Sequence, residues 1–188
     1  MANHVSNFIQ VIGNDKATAE FTKIFEPLLS DQGSLFELDF MPKYEGKVSI
    51  DHVGAKWAYV EDADDDYVSI TSAWSPVLPF VEELGSYLSE FDENVKITCR
   101  FEDEAYNFVG AALYHDGEVI SDDEDHETLI ESRLSYLESR GDKQDEDEYD
   151  PWEDDGWYEF VDERICRIEA DLLESCEEPA MSYCGAIN

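Results

Sequence analysis

The hydrophobic pattern of the first forty residues predicts two strands with a helix between them. Residues 5–12 alternate loosely and end at Gly13-Asn14-Asp15, which is typical of a strand followed by a turn. An apolar face of period 3.6 follows and predicts a helix, capped by Asn14 or Asp15. Its members are Phe21, Ile24, Phe25, Leu28 and Leu29. Residues 35–41 predict a second strand, which ends at Pro42.

The next thirty residues carry weaker strand signals and one clear one. Residues 48–50 and 57–60 suit short strands, whereas residues 67–73 alternate β-branched and small side chains, as a central strand does. Residues 61–66 form an acidic cluster between them. This cluster lacks the glycine and the final glutamate of an EF-hand loop, so it predicts a solvated turn and not a calcium site.

A helix and three further strands complete the first part of the chain. Ser75 and Pro76 predict the helix start, because serine accepts hydrogen bonds from free amides and proline fits the first turn. The apolar face of this helix comprises Val77, Phe80, Val81, Leu84, Leu88 and Phe91. Residues 95–101 and 106–114 predict strands, and Asp116-Gly117 folds residues 118–120 back antiparallel. The order β-α-β-β-α-β, plus one hairpin strand, predicts an α+β ferredoxin-like fold: an antiparallel sheet with two helices on one face.

Residues 121–178 are strongly acidic, with 24 Asp or Glu against five Arg or Lys. Asp122 or Asp123 can cap a first helix, whose apolar stripe is Leu129, Ile130, Leu134 and Leu137 and which Gly141 ends. Asp150 and Pro151 predict the start of a second helix over residues 151–178. Its apolar stripe is Trp157, Val161, Ile165, Ile168 and Leu172. We therefore predict a ferredoxin-like domain at 1–120 and an acidic helical extension, 121–188, packed on it.

The net charge of −35 narrows the classes of partner. Repulsion disfavours direct binding to nucleic acid or to an anionic membrane, so the expected partners are a protein with a cationic groove, a metal ion or a polycation. No apolar run approaches the roughly 20 residues of a membrane span, and residues 1–10 do not resemble a signal peptide. We expect the protein in the host cell cytoplasm.

The cysteines and histidines predict no cofactor or metal site. Cys99, Cys166, Cys176 and Cys184 show no CxxC spacing, so we expect free thiols in a reducing compartment. The alternative is a zinc site that uses Cys166, Cys176 and a histidine, although closely spaced ligand pairs are missing. No nucleophile elbow and no glycine-rich phosphate loop is found. We therefore expect a protein that is not an enzyme.

Four short strings of residues occur in a recognisable order. They are MANH at residues 1–4 with Asn7, HVGAKW at 52–57, SAWSP at 72–76, and FEDEA at 101–105 followed by FVG at 108–110. Together they resemble the YubB-like ferredoxin-fold family of phages and plasmids, over residues 1–120 or so. Val77 stands where a second proline is common in that family, and Ala105 where a glycine is common. The resemblance implies the fold and an origin in a mobile element, and it assigns no catalytic residue.

The acidic helices predict a DNA mimic. A helix over residues 151–178 would be about 42 Å long and carry one carboxylate per roughly 4 Å, against one phosphate per about 3.4 Å of a DNA strand. We expect such an array to bind and inhibit a basic, DNA-binding host defence protein, as anti-restriction proteins do. The expected contact residues lie beside Trp152 and are Glu153, Asp154, Asp155, Glu159, Asp162 and Glu163.

Several alternatives to DNA mimicry stay open. The acidic residues could serve only to keep the protein soluble, or to stabilise the helices through favourable interaction with the helix dipole. The protein could be an adaptor that binds one basic partner without imitating DNA. It could also be an enzyme that uses a corner formed by His52, Trp57 and Trp74. If the apolar stripe of the last helix exceeds what the ferredoxin-like core can cover, a homodimer would extend the anionic surface.

Overall fold

The structure, a computed structural model, describes residues 3–29, 33–142, 144–145 and 148–176. Within these ranges the strands are β1 (His4–Ile12), β2 (Lys43–Tyr44), β3 (Lys47–Val48), β4 (Ala58–Ala63), β5 (Tyr67–Ala73), β6 (Lys96–Asp103), β7 (Phe108–His115) and β8 (Glu118–Asp125). The α-helices are α1 (Asp15–Phe25), α2 (Ile50–Val53), α3 (Leu78–Leu88), α4 (His126–Ser139) and α5 (Trp157–Ser175). Short 3-10 helices cover Glu26–Leu28, Leu35–Glu37 and Pro151–Glu153.

The main sheet has the predicted ferredoxin-like arrangement. Its strand order is β4-β5-β1-β6-β7-β8, and every neighbouring pair is antiparallel. The first four strands of this order, with α1 and α3 as their crossover helices, give the β-α-β-β-α-β unit, and the hairpin β7-β8 widens the sheet beyond β6. The fold class is thereby confirmed. The proposed boundary at residue 120 falls inside β8, so the acidic part begins within the sheet.

One face of the sheet packs against α1 and α3. The buried side chains Val5, Ile9 and Ile97 of the strands meet Phe21 and Phe80 of these two helices. Residues at alternate positions of β1 and β6 point into this core, as the period of a half-buried strand requires. This is the two-helix layer that the sequence predicts.

The opposite face packs against the two acidic helices. Trp157, Val161 and Ile165 of α5 pack with Val109 of β7 and Leu129 of α4 in a second apolar cluster. The stripe of α5 is therefore covered by the same chain. Ile168 is buried as well, whereas Leu172 is half-buried, and the homodimer stays a prediction.

Several predicted boundaries are wrong. Residues 35–41 are not a strand but include the 3-10 helix Leu35–Glu37, because Leu35, Leu38 and Met41 are buried at a spacing of three. Residues 48–50 divide between β3 and the start of α2. Residues 61–63 belong to β4, so the predicted acidic turn is confined to its last three positions.

Two helix starts also differ from the prediction. Helix α3 begins after Val77, with Pro79 in its first turn, whereas the hydroxyl of Ser75 donates to the carbonyl of Gly54. Helix α4 is capped by Asp125, whose carboxylate accepts from the amide of Thr128 at 2.8 Å. Asp122 and Asp123 lie instead in β8, which pairs with β7 over its whole length.

A buried asparagine links β1 to the segment that precedes α3. Asn7 is 1% exposed, and its amide nitrogen donates to the hydroxyl of Ser72 at 2.9 Å and to the carbonyl of Ile70 at 3.2 Å. Its amide oxygen accepts from the backbone nitrogen of Val77 at 3.0 Å. These bonds satisfy polar groups that would otherwise be buried without partners. Asn7 thus joins two of the four strings that carry the family resemblance.

Replacing Asn7 with alanine is expected to lower the free energy of unfolding by about 1–3 kcal/mol, since the buried amide of Val77 loses its acceptor. Urea unfolding followed by circular dichroism measures the change. Ser6→Ala is the control, because Ser6 is the exposed neighbour on the same strand. Equal midpoints for the two variants would contradict the structural role of Asn7.

Candidate functional site

The structure places the six predicted contact residues around the start of α5. Glu153, Asp155, Glu159, Asp162 and Glu163 are exposed, as predicted. Asp154 is the exception, because its side chain turns inward. The prediction that the six lie on one helix is also wrong: Glu153 ends a 3-10 helix, and α5 begins only at Trp157.

Asp154 is held by a bidentate ion pair with Arg133 of α4. Nε and a terminal nitrogen of Arg133 donate to the two carboxylate oxygens at 2.7 and 2.8 Å. The hydroxyl of Tyr149 and the amide of Gly156 donate to the same carboxylate at 2.7 and 2.8 Å. The guanidinium, followed by the hydrogen bonds from Tyr149 and Gly156, lowers the pKa of Asp154 to about 2. Asp154 is therefore a structural clamp and not a free contact residue.

Arg133 is the hub of this clamp. Its guanidinium carbon lies 5.4 Å from the ring centroids of both Tyr136 and Phe160, so it connects α4 with α5. A Cβ at position 156 would clash with a terminal nitrogen of Arg133, so a larger residue there would displace the guanidinium from the clamp. The clamp fixes residues 149–156 as an ordered turn in front of α5.

Other arginines of the acidic half are also used inside the protein. Arg164 of α5 forms a bidentate ion pair with Glu124 of β8, with one bond from Nε at 3.1 Å. Arg140, the exposed residue that follows α4, donates to the hydroxyl of Tyr136 at 2.8 Å. The ion pairs of Arg133 and Arg164 neutralise carboxylates at the inner side of the layer. These two pairs do not reach the carboxylates at the outer side of the layer.

The outer carboxylates form a row along the exposed side of α5. Glu159 and Glu163 are one turn apart, opposite the buried Val161 and Ile165, and Asp155 precedes them in the turn. Within the described parts of the chain, none of these three has an ion-pair or hydrogen-bond partner. Like charges at this spacing destabilise a helix by about 0.2–0.5 kcal/mol per pair. The row is thus a cost to folding that the protein retains.

The charge density of α5 is lower than the sequence suggested. The helix has 19 residues and is about 28 Å long, with six carboxylates, or one per roughly 5 Å. Residues 151–156 belong to the preceding turn, and Glu177 and Glu178 lie outside the described residues. A strand of DNA carries one phosphate per about 3.4 Å. A DNA-like density therefore needs α4 and β8 as well as α5.

The helix dipole explains only part of this acidity. Glu159 lies in the first turn of α5, where a carboxylate interacts favourably with the helix N-terminus. Glu174, however, lies in the last turn, where negative charge is unfavourable and where no basic residue occurs. Stability of the helix does not account for this carboxylate.

An aromatic patch, which we define as Tyr106, Trp152 and Tyr158, adjoins the carboxylates. The ring centroids are 5.6 Å apart for Tyr106 and Trp152, 6.0 Å for Tyr106 and Tyr158, and 6.5 Å for Trp152 and Tyr158. Trp152 and Tyr158 are 54% and 59% exposed, and Tyr106 lies beneath them. Sequence reasoning missed Tyr106, because it assigned this residue to a strand.

Tyr106 reaches this position through an unusual backbone conformation. Its φ of 52° lies in the left-handed region, which costs a residue other than glycine about 1 kcal/mol or more. Asp103 holds the turn: one carboxylate oxygen accepts from the amides of Ala105 and Asn107 at 3.0 and 3.3 Å and from the Asn107 side chain. The FEDEA string thus positions one ring of the patch.

The contacts of His52, Trp57 and Trp74 do not join these three side chains into the proposed corner. His52 Nδ1 lies 2.6 Å from a carboxylate oxygen of Glu83 and so ties α2 to α3. Trp57 packs edge-on against His4, with ring centroids 5.3 Å apart. Trp74 is 55% exposed, and its backbone amide donates to Asn3. The side chains of His52 and Trp57 thus make structural contacts elsewhere, and the side chain of Trp74 is exposed.

The described ranges hold neither a metal-binding cluster nor a membrane-spanning helix. No group of three or more His, Cys, Asp or Glu side chains there is arranged to hold a metal ion. Cys99, Cys166 and Cys176 are free, the Cys166 sulfur accepts from Arg100 at 3.4 Å, and Cys184 lies outside the described residues. None of the described helices is both long enough and apolar enough to cross a membrane.

Comparison with known proteins gives one family. Residues 54–149, about half of the chain, match the family model described as a ferredoxin-like domain in Api92-like protein. The matched segment begins at Gly54 and ends at Tyr149, so it contains β4 to β8 and α4 and stops before α5. No curated protein and no solved structure matches the chain.

Replacing Asp154 with asparagine is expected to lower the free energy of unfolding at neutral pH by about 1–3 kcal/mol, because Arg133 loses its charged partner. The folded-state pKa lies below the ordinary value, so this stabilisation is complete above about pH 4 and is lost as the pH falls towards 2. The difference between the two proteins should therefore shrink below about pH 4.

Urea titrations at a series of pH values measure both effects. Asp155→Asn is the matched control, because it removes the same charge from an exposed neighbour. A constant difference between Asp154→Asn and the original protein down to about pH 3 would contradict the clamp.

Proposed function

The chain belongs to the family described as a ferredoxin-like domain in Api92-like protein. Because that description names a fold and no activity, we propose a function from the anionic face that covers the second side of the sheet. This face, which comprises the outer sides of α4, α5 and β8, binds a basic DNA-binding protein of the host and inhibits it. Its target is a defence protein, and the inhibition is of the anti-restriction type.

The observation that carries this proposal is the unpaired row Asp155, Glu159 and Glu163. Arg133 and Arg164 lie close by, yet they pair with Asp154 and Glu124 on the inner side of the layer. Arg167, one turn after Glu163, is exposed. A partner with lysine and arginine side chains would relieve the repulsion along the row and gain ion pairs at the same time. The free protein therefore presents a surface that a cationic partner stabilises.

A DNA-binding protein is the partner class that fits best. Such proteins place lysine and arginine at the spacing of phosphates, and a fixed array of carboxylates can compete for the same side chains. Asp122 of β8, which shares the sheet face of Val109, and the exposed Glu127 and Glu131 of α4 can extend the array beyond α5. The resemblance to the YubB-like proteins of phages and plasmids supports a target in host defence, because mobile elements must evade host nucleases.

An adaptor that binds one basic protein without imitating DNA is the second candidate. The exposed aromatic rings of Trp152 and Tyr158 favour it, since the outer surface of a DNA duplex offers phosphates and no such rings. Both candidates use the same face, and they differ in whether duplex DNA and this protein compete for the partner.

The triple variant Asp155→Asn, Glu159→Gln, Glu163→Gln is expected to bind the partner about tenfold more weakly at low salt, since exposed ion pairs contribute about 0.2–1 kcal/mol each. The partner is first captured from host lysate on the immobilised protein and identified by mass spectrometry. Binding of the purified partner is then measured over a salt series, with and without duplex DNA.

The control is Glu61→Gln, Asp65→Asn, Glu82→Gln, which removes the same charge from exposed residues remote from α5. An equal loss in both variants would refute the assignment of the face. Displacement of the partner by duplex supports mimicry, and a partner that stays bound while it also binds duplex would rule mimicry out.

A further inference from the structure

The aromatic patch has the features of a cation-binding surface. Two half-exposed rings, Trp152 and Tyr158, stand side by side on a third ring that is buried. A single exposed aromatic side chain needs no special account, whereas a contiguous apolar patch at the surface often marks an interaction site. Because ring faces carry negative electrostatic potential, such a patch attracts a cation.

Carboxylates beside the patch strengthen this preference. Glu102 of β6 is half-buried, and that burial, followed by the nearby Asp162, raises its pKa. Burial, followed by the charge of Glu102, raises the pKa of Tyr106 to about 12. Glu102 and Asp162 thus place negative charge beside Tyr106, which disfavours an anionic ligand there.

We propose that the aromatic patch binds an arginine side chain of the basic partner, with the guanidinium stacked on Trp152 and bordered by Tyr158, whose ring is inclined by 62° to that of Trp152. This inference rests on the proposed function, of which it names the recognition element. Arginine fits better than lysine because its guanidinium is planar, stacks on aromatic faces and is less strongly hydrated than an ammonium group. Glu153 follows Trp152 in the chain, and Asp162 lies one helical turn after Tyr158. Both carboxylates are exposed and can accept hydrogen bonds from the guanidinium.

The patch is ordered before the partner arrives. The clamp between Arg133 and Asp154 fixes the turn that carries Trp152, and Asp103 holds the backbone of Tyr106 in its left-handed conformation. Tyr158 lies on the first turn of α5. A binding surface that is already in place loses little conformational entropy on association, which favours affinity.

Titration calorimetry of the full chain with a deca-arginine peptide and with a deca-lysine peptide tests the proposal. The original protein is expected to bind deca-arginine more tightly than deca-lysine. Trp152→Ala should weaken the binding of deca-arginine by about threefold to tenfold, with an unchanged salt dependence. Trp74→Ala is the control, since Trp74 is equally exposed at 55%, and it should change the affinity less than about twofold.

The outcomes separate this inference from the proposed function. If the row variant at Asp155, Glu159 and Glu163 loses salt-dependent binding while Trp152→Ala and Trp74→Ala behave alike, the patch does not bind arginine and the anionic face stands. If neither peptide binds at low salt, the anionic face itself is refuted. Tyr158→Phe keeps the ring and should keep the affinity, so a loss of binding in that variant would also overturn the stacking geometry.

Discussion

The burial of one side of α5 against the second face of the sheet is the interaction on which the rest of this structure depends. Helix α5 carries six carboxylates and would be repelled by the acidic strand β8 beneath it. Burial of Trp157, Val161 and Ile165 opposes that repulsion, at about 1.5–3 kcal/mol for each large apolar side chain removed from water. Without this stripe neither the row nor the aromatic patch would have a fixed position.

The arginines of the acidic half give the inner and outer sides of the charged layer different charges. Arg133 and Arg164 point inward and pair with Asp154 and Glu124, so these two carboxylates on the side of the layer next to the sheet are neutralised. A carboxylate at such a site costs little once it is paired and hydrogen-bonded. The excess charge of the segment is consequently concentrated on its outer side. This arrangement gives the protein a directed negative surface, where composition alone shows only a high net charge.

The sequence predicts the periodic parts of the fold well and the long-range polar contacts poorly. The apolar stripes of α1, α3 and α5 appear in the pattern because burial of one helix face requires a period of 3.6. Asp154 was misassigned because nothing local distinguishes it from Asp155, and the partner that turns it inward, Arg133, lies 21 residues earlier. Strand β8 was cut short because an edge strand with Asp at successive positions has no alternating apolar face. Tyr106 was missed since a left-handed residue has no signature when it is not glycine.

The aromatic patch changes how the acidity should be interpreted. Pure imitation of DNA requires carboxylates at the spacing of phosphates, and α5 alone reaches about one per 5 Å against about 3.4 Å for a DNA strand. A row of exposed charges gives an attraction that weakens with salt, whereas a cation in contact with the rings of Trp152 and Tyr158 is partly buried and is screened less. A surface that combines both can be drawn to many basic proteins and still retain one of them. Such a combination is expected of an inhibitor with a particular target, because steering comes from the charge and discrimination from the desolvated rings.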